Sequence, residues 1–465
     1  MDHLSQGISR RSFGRLAGAA TCALTFGGFD ESALASGSSV ELSPIRSCIF
    51  LFYYGGPSHI DTYDMKPNAP AEIRGDFQPI STNVPGIQIC EHLPRMAQVM
   101  DKVAIVRSVH HSSTLHDSAS IHALTGRPLE GADRELFEPI AQFFPSYGSA
   151  VTYMKPTAES QVPYAALPFV FQNVIPTPCQ GGGILGKALD PLRIDVEPIA
   201  RHYLVDSLGA RDGVSLGRMV DRRNLLFRLN VLQGASDSMS KYHDRALRLI
   251  QSESIRNAMD ITREPESVRQ RYGFGPAPTD KGEVNGGGGE MAFARQMRGQ
   301  NLLLARRLVE AGVQFVNVYD CKQQGQNWDS HVNCSSQHKN YLLPQADQGL
   351  SALIEDLDQR GLLESTLIVA TGEFGRTPKI NPTGGRDHWP HCYSLLMAGG
   401  GVCGGAVLGS SDKHGGYPDS EPVTPGDIAA TIYWRFGINP ATEIHDPLGR
   451  PHRLAIGEPI RKLFG

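Results

Sequence analysis

Apolar residues along the chain follow two alternating patterns. Short runs that are apolar at nearly every position occupy 48–54, 103–109, 168–174, 314–319, 366–371 and 394–398. Other stretches carry apolar positions every three to four residues. In 293–311, Leu302, Leu303, Leu304, Leu308 and Val309 form one stripe, and Leu350, Leu353, Ile354, Leu357 and Leu362 mark the next. Residues 427–436 read as a late helix. Uniformly apolar runs predict strands buried on both faces, and the 3.6-residue period predicts amphipathic helices. Their alternation predicts an α/β fold, an α/β/α sandwich with a mainly parallel central sheet. Residues 200–260 depart from this pattern, with Arg222, Arg223, Arg228, Lys241, Arg245 and Arg248. They are expected to form a helical insertion with a solvated basic face.

The first 35 residues carry a different signal. Ser9-Arg10-Arg11-Ser12-Phe13 precedes a mild apolar run from Leu16 to about Phe26, and Ala33-Leu34-Ala35 offers a small-residue cleavage site. This order resembles a twin-arginine signal peptide rather than an amphipathic terminal helix. It predicts export of the folded protein to the periplasm or beyond, with the twin-arginine machinery as a partner. Residues 36–465 are then left for one domain.

Composition narrows the classes. With 44 Lys and Arg against 48 Asp and Glu, the 465-residue chain has a net charge of −4. Such a chain has no global field for nucleic acid. No run of about 18 apolar residues suggests a membrane span in the mature protein. Eight scattered cysteines, one of them in the leader, do not form a disulfide framework or a Cys-x-x-Cys zinc ribbon. Cys321 and Cys334 can be one bridge or two free thiols.

Three familiar patterns lack their context. Gly213-Val214-Ser215-Leu216-Gly217 has no buried strand before it, as a nucleophile elbow requires. The loop from Gly181 to Lys187 continues with Ala188, not the Ser or Thr that ligates magnesium. Gly399, Gly401 and Gly404 precede a strand-like segment instead of a helix.

Candidate chemistry concentrates where predicted strands end, the place where open α/β sheets bind ligands. After the first strand comes Gly55-Gly56-Pro57-Ser58-His59-Ile60-Asp61; His59 and Asp61 are possible ligands or parts of a structural turn. After the second come four histidines in thirteen residues (His110, His111, His116, His122) with Asp117 and Ser118, either of which can cap a helix starting there. That helix N-terminus is also a possible anion site. Trp328-Asp329-Ser330-His331 follows the 314–319 strand, with Asp320 as an alternative ligand at the strand end. Glu373 and Arg376 emerge from the 366–371 strand, and Arg386-Asp387-His388-Trp389 follows shortly. Arg376 can clamp an oxyanion, or form a structural pair with Glu373. His59, Asp61, Asp329, His331, Glu373, Asp387 and His388 together make a mixed nitrogen and oxygen ligand set. It suits one or two divalent ions, zinc first, with manganese, magnesium or calcium as alternatives.

Gly55-Gly56-Pro57-Ser58-His59-Ile60-Asp61-Thr62, Leu124-Thr125-Gly126-Arg127, Trp328-Asp329-Ser330-His331, Gly372-Glu373-Phe374-Gly375-Arg376-Thr377-Pro378 and Gly385-Arg386-Asp387-His388-Trp389-Pro390 resemble family 1501 of the domains of unknown function. That family is grouped with alkaline phosphatases and sulfatases, and twin-arginine signals are usual in it. The resemblance implies their α/β/α sandwich and a metal site at the sheet's carboxyl edge. It implies that Asp329, His331 and His388 form an Asp/His/His set. Phe374 stands where the superfamily has an imidazole, and Gly55-Gly56 where it has an Asp. No Cys-x-Pro-Ser-Arg precedes the helix ending at Arg127, so a formylglycine nucleophile is excluded; His116 and Ser118 lie near that position. The expectation is an exported metal-dependent hydrolase of phosphate or sulfate esters, with His116, Ser118 and Arg376 as catalytic candidates and a small anionic ester as substrate. The alternative is a degenerate member of the same fold, acting as an exported binding or surface-assembly protein.

Overall fold

A computed structural model describes residues 42–157, 162–197, 202–204, 252–273, 298–320 and 328–465, with isolated positions between 218 and 229. The leader and most of the 200–260 insertion therefore lie outside the described residues, as do the Gly213–Gly217 motif and Cys321. Of the insertion's expected helices, Glu253–Met259 is described.

The apolar runs form one eight-stranded sheet. Its strands are β1 Ser47–Phe52, β2 Val103–Val109, β3 Tyr164–Leu167, β4 Leu192–Arg193, β5 Phe315–Tyr319, β6 Thr366–Thr371, β7 Tyr393–Gly399 and β8 Val407–Leu408. Their spatial order is β8-β2-β7-β6-β1-β5-β3-β4. Only β7 runs against the rest. All six residues of β1 and of β6 are buried, as the uniform apolar pattern requires of central parallel strands.

One expected strand is corrected. The run at 168–174 is irregular, and the strand in that region is β3, which ends before Pro168. Proline has no N–H to extend the ladder. The apolar side chains beyond it are still used: Phe171 is buried and packs 5.5 Å from the Phe52 ring.

The principal helices are α1 His116–Thr125, α2 Tyr147–Met154, α3 Arg298–Glu310, α4 Leu343–Gln359 and α5 Pro425–Arg435. α1, α2 and α5 form one group; Tyr147 on α2 touches Phe50 of β1 at 5.5 Å and Tyr433 of α5 at 6.2 Å. α3 and α4 pack together as the second group. Side chains alternate faces along a strand, so helices cover both sides of the sheet.

Strand register sets up the site. Phe52 is level with Thr371 on one side and Tyr319 on the other, so β1, β5 and β6 end at the same edge. β2 ends there too, because Val109 pairs with Tyr393, the first residue of antiparallel β7. Loops after four strands and the segment before a fifth therefore meet at one edge.

Candidate metal centre

Asp329 is the hub. Its Oδ1 lies 2.9 Å from His331 Nε2, 3.1 Å from His388 Nε2 and 2.7 Å from Arg376 Nη2. Its Oδ2 lies 3.3 Å from His116 Nε2. His331 Nε2 and His388 Nε2 are themselves 3.1 Å apart. Three imidazoles from three separate segments thus turn the same ring nitrogen toward one carboxylate.

The opposite nitrogen of each ring is also held. His116 Nδ1 meets Glu373 Oε1 at 2.8 Å, His331 Nδ1 meets Asp387 Oδ1 at 2.7 Å, and His388 Nδ1 meets the Thr114 carbonyl at 2.7 Å. These partners can only accept, so each Nδ1 carries the proton and donates it. Whenever such a ring is neutral, it directs a bare Nε2 lone pair at an anionic carboxylate. That arrangement is repulsive unless protons or a cation lie between.

Local sequence explains the convergence. Gly375–Arg376 and His388–Trp389 form a two-stranded ribbon in which Arg376 pairs with His388. An isolated bridge between Val332 and Gly384 ties the His331 loop to it. Gly56 has a φ of +73°, and a Cβ there would come within 2.5 Å of the Phe374 ring. Glycine is therefore required for the β1 loop to pass beneath Phe374. The Gly55 N–H donates to Glu373 Oε1 at 2.8 Å and fixes that carboxylate under His116.

Electrostatics follow from this packing. Burial opposes charge on Asp329, yet the facing His116, His331 and His388 rings and the Arg376 charge hold its carboxyl far below the usual range. Burial also disfavours charge on His116, but Asp329 and Glu373 outweigh it and raise its pKa to about 9. His331 is raised chiefly by its bond to Asp329. His388 is lowered, because burial outweighs its bond to Asp329.

The donor set fits a divalent ion. His116, Asp329 and His388 each offer a ligand atom within 4.8 Å of the others, the one such group of three among the described residues. Metal–nitrogen bonds of about 2.0–2.1 Å in a tetrahedral site place neighbouring ligand atoms about 3.3 Å apart, close to the 3.1 Å between the His331 and His388 nitrogens. No hydrogen bond of good geometry reaches buried His116 Nε2. Imidazoles whose far nitrogen donates to a carboxylate or a backbone carbonyl are the usual supporting pattern of metal-binding histidines. The floor, His116 and Glu373, is fully buried, whereas His331 and Asp387 are 40% and 53% exposed, so the cluster opens to solvent on one side.

The structure brings together His116, Asp329, His331, Glu373, Arg376, Asp387 and His388, and gives the other candidates different partners. Asp61 is held by Arg386 Nε at 2.7 Å and Ser58 Oγ at 2.5 Å. His59 Nε2 bonds the Gly415 carbonyl at 2.7 Å. Ser118 Oγ donates to the Arg134 carbonyl and accepts from its N–H, both at 2.9 Å. Asp320 pairs with Arg298 and accepts from Trp328 Nε1. Arg376 does not pair with Glu373. Besides Asp329, it bonds the carbonyls of Gly55, Gly56 and Arg386.

Neither Asp117 nor Ser118 caps α1. Glu135 accepts from the His116 and Asp117 N–H groups at 2.9 and 3.0 Å, and Asp133 accepts from Thr114 N at 2.7 Å. The helix N-terminus considered as an anion site is thus already covered by protein carboxylates. Sequence reasoning missed Asp133, Glu135 and the Thr114 carbonyl. Asp133-Arg134-Glu135 is the acidic stretch just past the helix, a weak signal that needs the return of the chain to become meaningful.

No sequence among curated proteins matches the chain. Solved structures do. The PsFucS1 sulfatase from Pseudoalteromonas sp. is 12% identical, with 85% of this chain and 68% of that one covered and a TM-score of 0.39. The phosphonate monoester hydrolase SpPMH from Silicibacter pomeroyi is 12% identical over 90% and 76%, at a TM-score of 0.37. The alkaline phosphatase from the Antarctic bacterium TAB5 is 12% identical over 86% and 100%, at 0.31. The family model described as "Protein of unknown function (DUF1501)" matches residues 45–464, so the chain belongs to that family.

Proposed function

We propose that the protein is a metal-dependent hydrolase of small phosphate or sulfate esters. The carrying observation is the three-histidine arrangement: three Nε2 atoms around Asp329, with every Nδ1 anchored by an acceptor. His116, Asp329, His331 and His388 would hold the ion, with zinc the closest match to an imidazole-rich set. A divalent ion there would supply Lewis-acid polarisation of an ester oxyanion.

The chain's own residues do the rest. Glu373 and Asp387 orient two imidazoles and raise their basicity. Arg376 spends its donors on backbone carbonyls and Asp329, so it positions the hub carboxylate rather than the substrate. The exposed side at His331 and Asp387 is where an anion would enter.

One observation favours the second reading, binding without turnover. Ser118 is tied to the Arg134 backbone, which leaves no free hydroxyl at the expected nucleophile position. Metal analysis of protein purified without chelators, followed by a survey of phosphomonoester, phosphodiester and sulfate-ester substrates, tests both readings. Bound metal with turnover lost in His388→Ala supports the hydrolase. Metal without turnover on any ester supports the binding protein, and absence of metal overturns the hydrolase.

Export by the twin-arginine route is part of the proposal and rests on the Ser9–Phe13 and Ala33–Ala35 segments. No helix among the described residues is long and apolar enough to cross a membrane. Arg10→Lys with Arg11→Lys should retain the protein in the cytoplasm, as read by cell fractionation.

A further inference from the structure

Asp387 belongs to two places at once. Its carboxylate bonds His331, and the same residue lines an open groove of about 760 Å³ beside the cluster. The groove is lined by Ile73, Pro378, Ile380, Trp389 and Tyr417, with His414 and exposed Lys379. Tyr417 is 54% exposed. Its ring lies 5.6 Å from that of Trp389, and Trp389 is fixed by a bond from Nε1 to the Gly416 carbonyl at 2.6 Å.

Most polar groups in this wall are already used. Asp412 accepts from the N–H groups of His414, Gly416 and Tyr417. Asn381 donates to the His331 carbonyl and Asp387, and accepts from the Thr383 and Gly385 N–H groups. What the groove offers is therefore aromatic and aliphatic surface, the His414 imidazole, one exposed ammonium, and continuity with the metal cluster. Exposed rigid aromatic rings bury large area at low entropic cost, and an apolar groove with few polar groups fixes a ligand by shape.

Resting on the function proposed above, we infer that this groove is the specificity subsite. It receives the alcohol portion of the ester when that portion is a six-membered ring with an apolar face, while the ester anion sits at the cluster. Tyr417, one face of which stacks on His391 at 5.5 Å, supplies the stacking surface, Trp389 packs edge-on against it, and Lys379 meets additional negative charge on the ring.

The test compares equilibrium binding of methylphosphonate, phenylphosphonate and the methylene-phosphonate analogue of glucose 6-phosphate to the purified protein, with metal content measured on each sample. Methylphosphonate reports the anion site alone. A gain of about tenfold for either ring-bearing ligand, lost in Tyr417→Ala while methylphosphonate binding and metal content stay unchanged, supports the subsite. The ligand showing the gain tells arene from pyranose. Equal binding of all three, or a gain that survives Tyr417→Ala, overturns the subsite and leaves the functional reading intact. Failure of all three ligands to bind overturns the subsite, whereas the functional reading stands or falls on the metal analysis and the ester survey.

Discussion

His116 Nδ1 stands 2.8 Å from Glu373 Oε1, and both side chains are wholly buried. A buried imidazole between two carboxylates has a fixed orientation, and Glu373 is the group that fixes it. Glu373→Gln keeps an acceptor and the side-chain volume but removes the charge. Loss of such a supporting carboxylate typically weakens metal binding about 10–100-fold. We expect that loss in competition titrations against a chelator, with little change in the folded spectrum. Unchanged affinity would show that Glu373 is not part of the ligand support.

The rim of the cluster behaves differently from its floor. Asp387 is half-exposed and pairs with His331, itself partly exposed. Exposed pairs contribute about 0–1 kcal/mol to stability. Asp387→Asn should therefore leave the urea midpoint nearly unchanged and lower metal affinity through a less rigid His331. His388→Ala removes a ligand and should abolish high-affinity binding. Equal metal affinity of Asp387→Asn and wild type would assign Asp387 to the groove alone.

Arg376 ties the hub carboxylate to the backbone of two loops. The side chain is fully buried, pairs with Asp329 at 2.7 Å, and bonds three backbone carbonyls from two loops. Breaking a buried ion pair at one partner costs about 3–5 kcal/mol, because the other charge is left uncompensated. Arg376→Met should lower the unfolding free energy by that order, measured by urea titration. Arg376→Lys should recover only part of it, since a single ammonium cannot span three carbonyls and a carboxylate.

Much of this was legible in the sequence. Strands β1, β2, β5, β6 and β7 appear as uniformly apolar runs, and the site residues follow strand ends in short clusters. Pairing was not legible. Arg376 chooses Asp329, 47 residues away, over nearby Glu373, and Asp61 is claimed by Arg386 across 325 residues. Such choices depend on how loops from distant strands stack at one edge, which no local pattern encodes. The two-residue strands β4 and β8 are too short to show any periodicity. At 168–174 apolarity alone misled, because Pro168 stops the ladder while Phe171 still fills the core.

Acid should unfold the protein from a higher pH than carboxylates alone explain. His338 is fully buried, and burial lowers it from 6.5 to about 4 against the pull of Asp61 and the Cys334 carbonyl. Burial likewise lowers His122 to about 3, with His111 and His110 adding to the effect. Between these values and 6.5 the unfolded chain binds protons that the folded protein refuses. Stability from each group is therefore complete above 6.5 and is lost as pH falls toward the folded value. The slope reaches at most about 1.4 kcal/mol per pH unit for each group. His338→Gln keeps polarity and approximate size without a titrating ring. Urea midpoints between pH 7.5 and 5 should fall less steeply in this variant than in wild type, whatever its absolute stability. Parallel slopes would show that His338 is protonated in the folded protein as readily as in the unfolded chain.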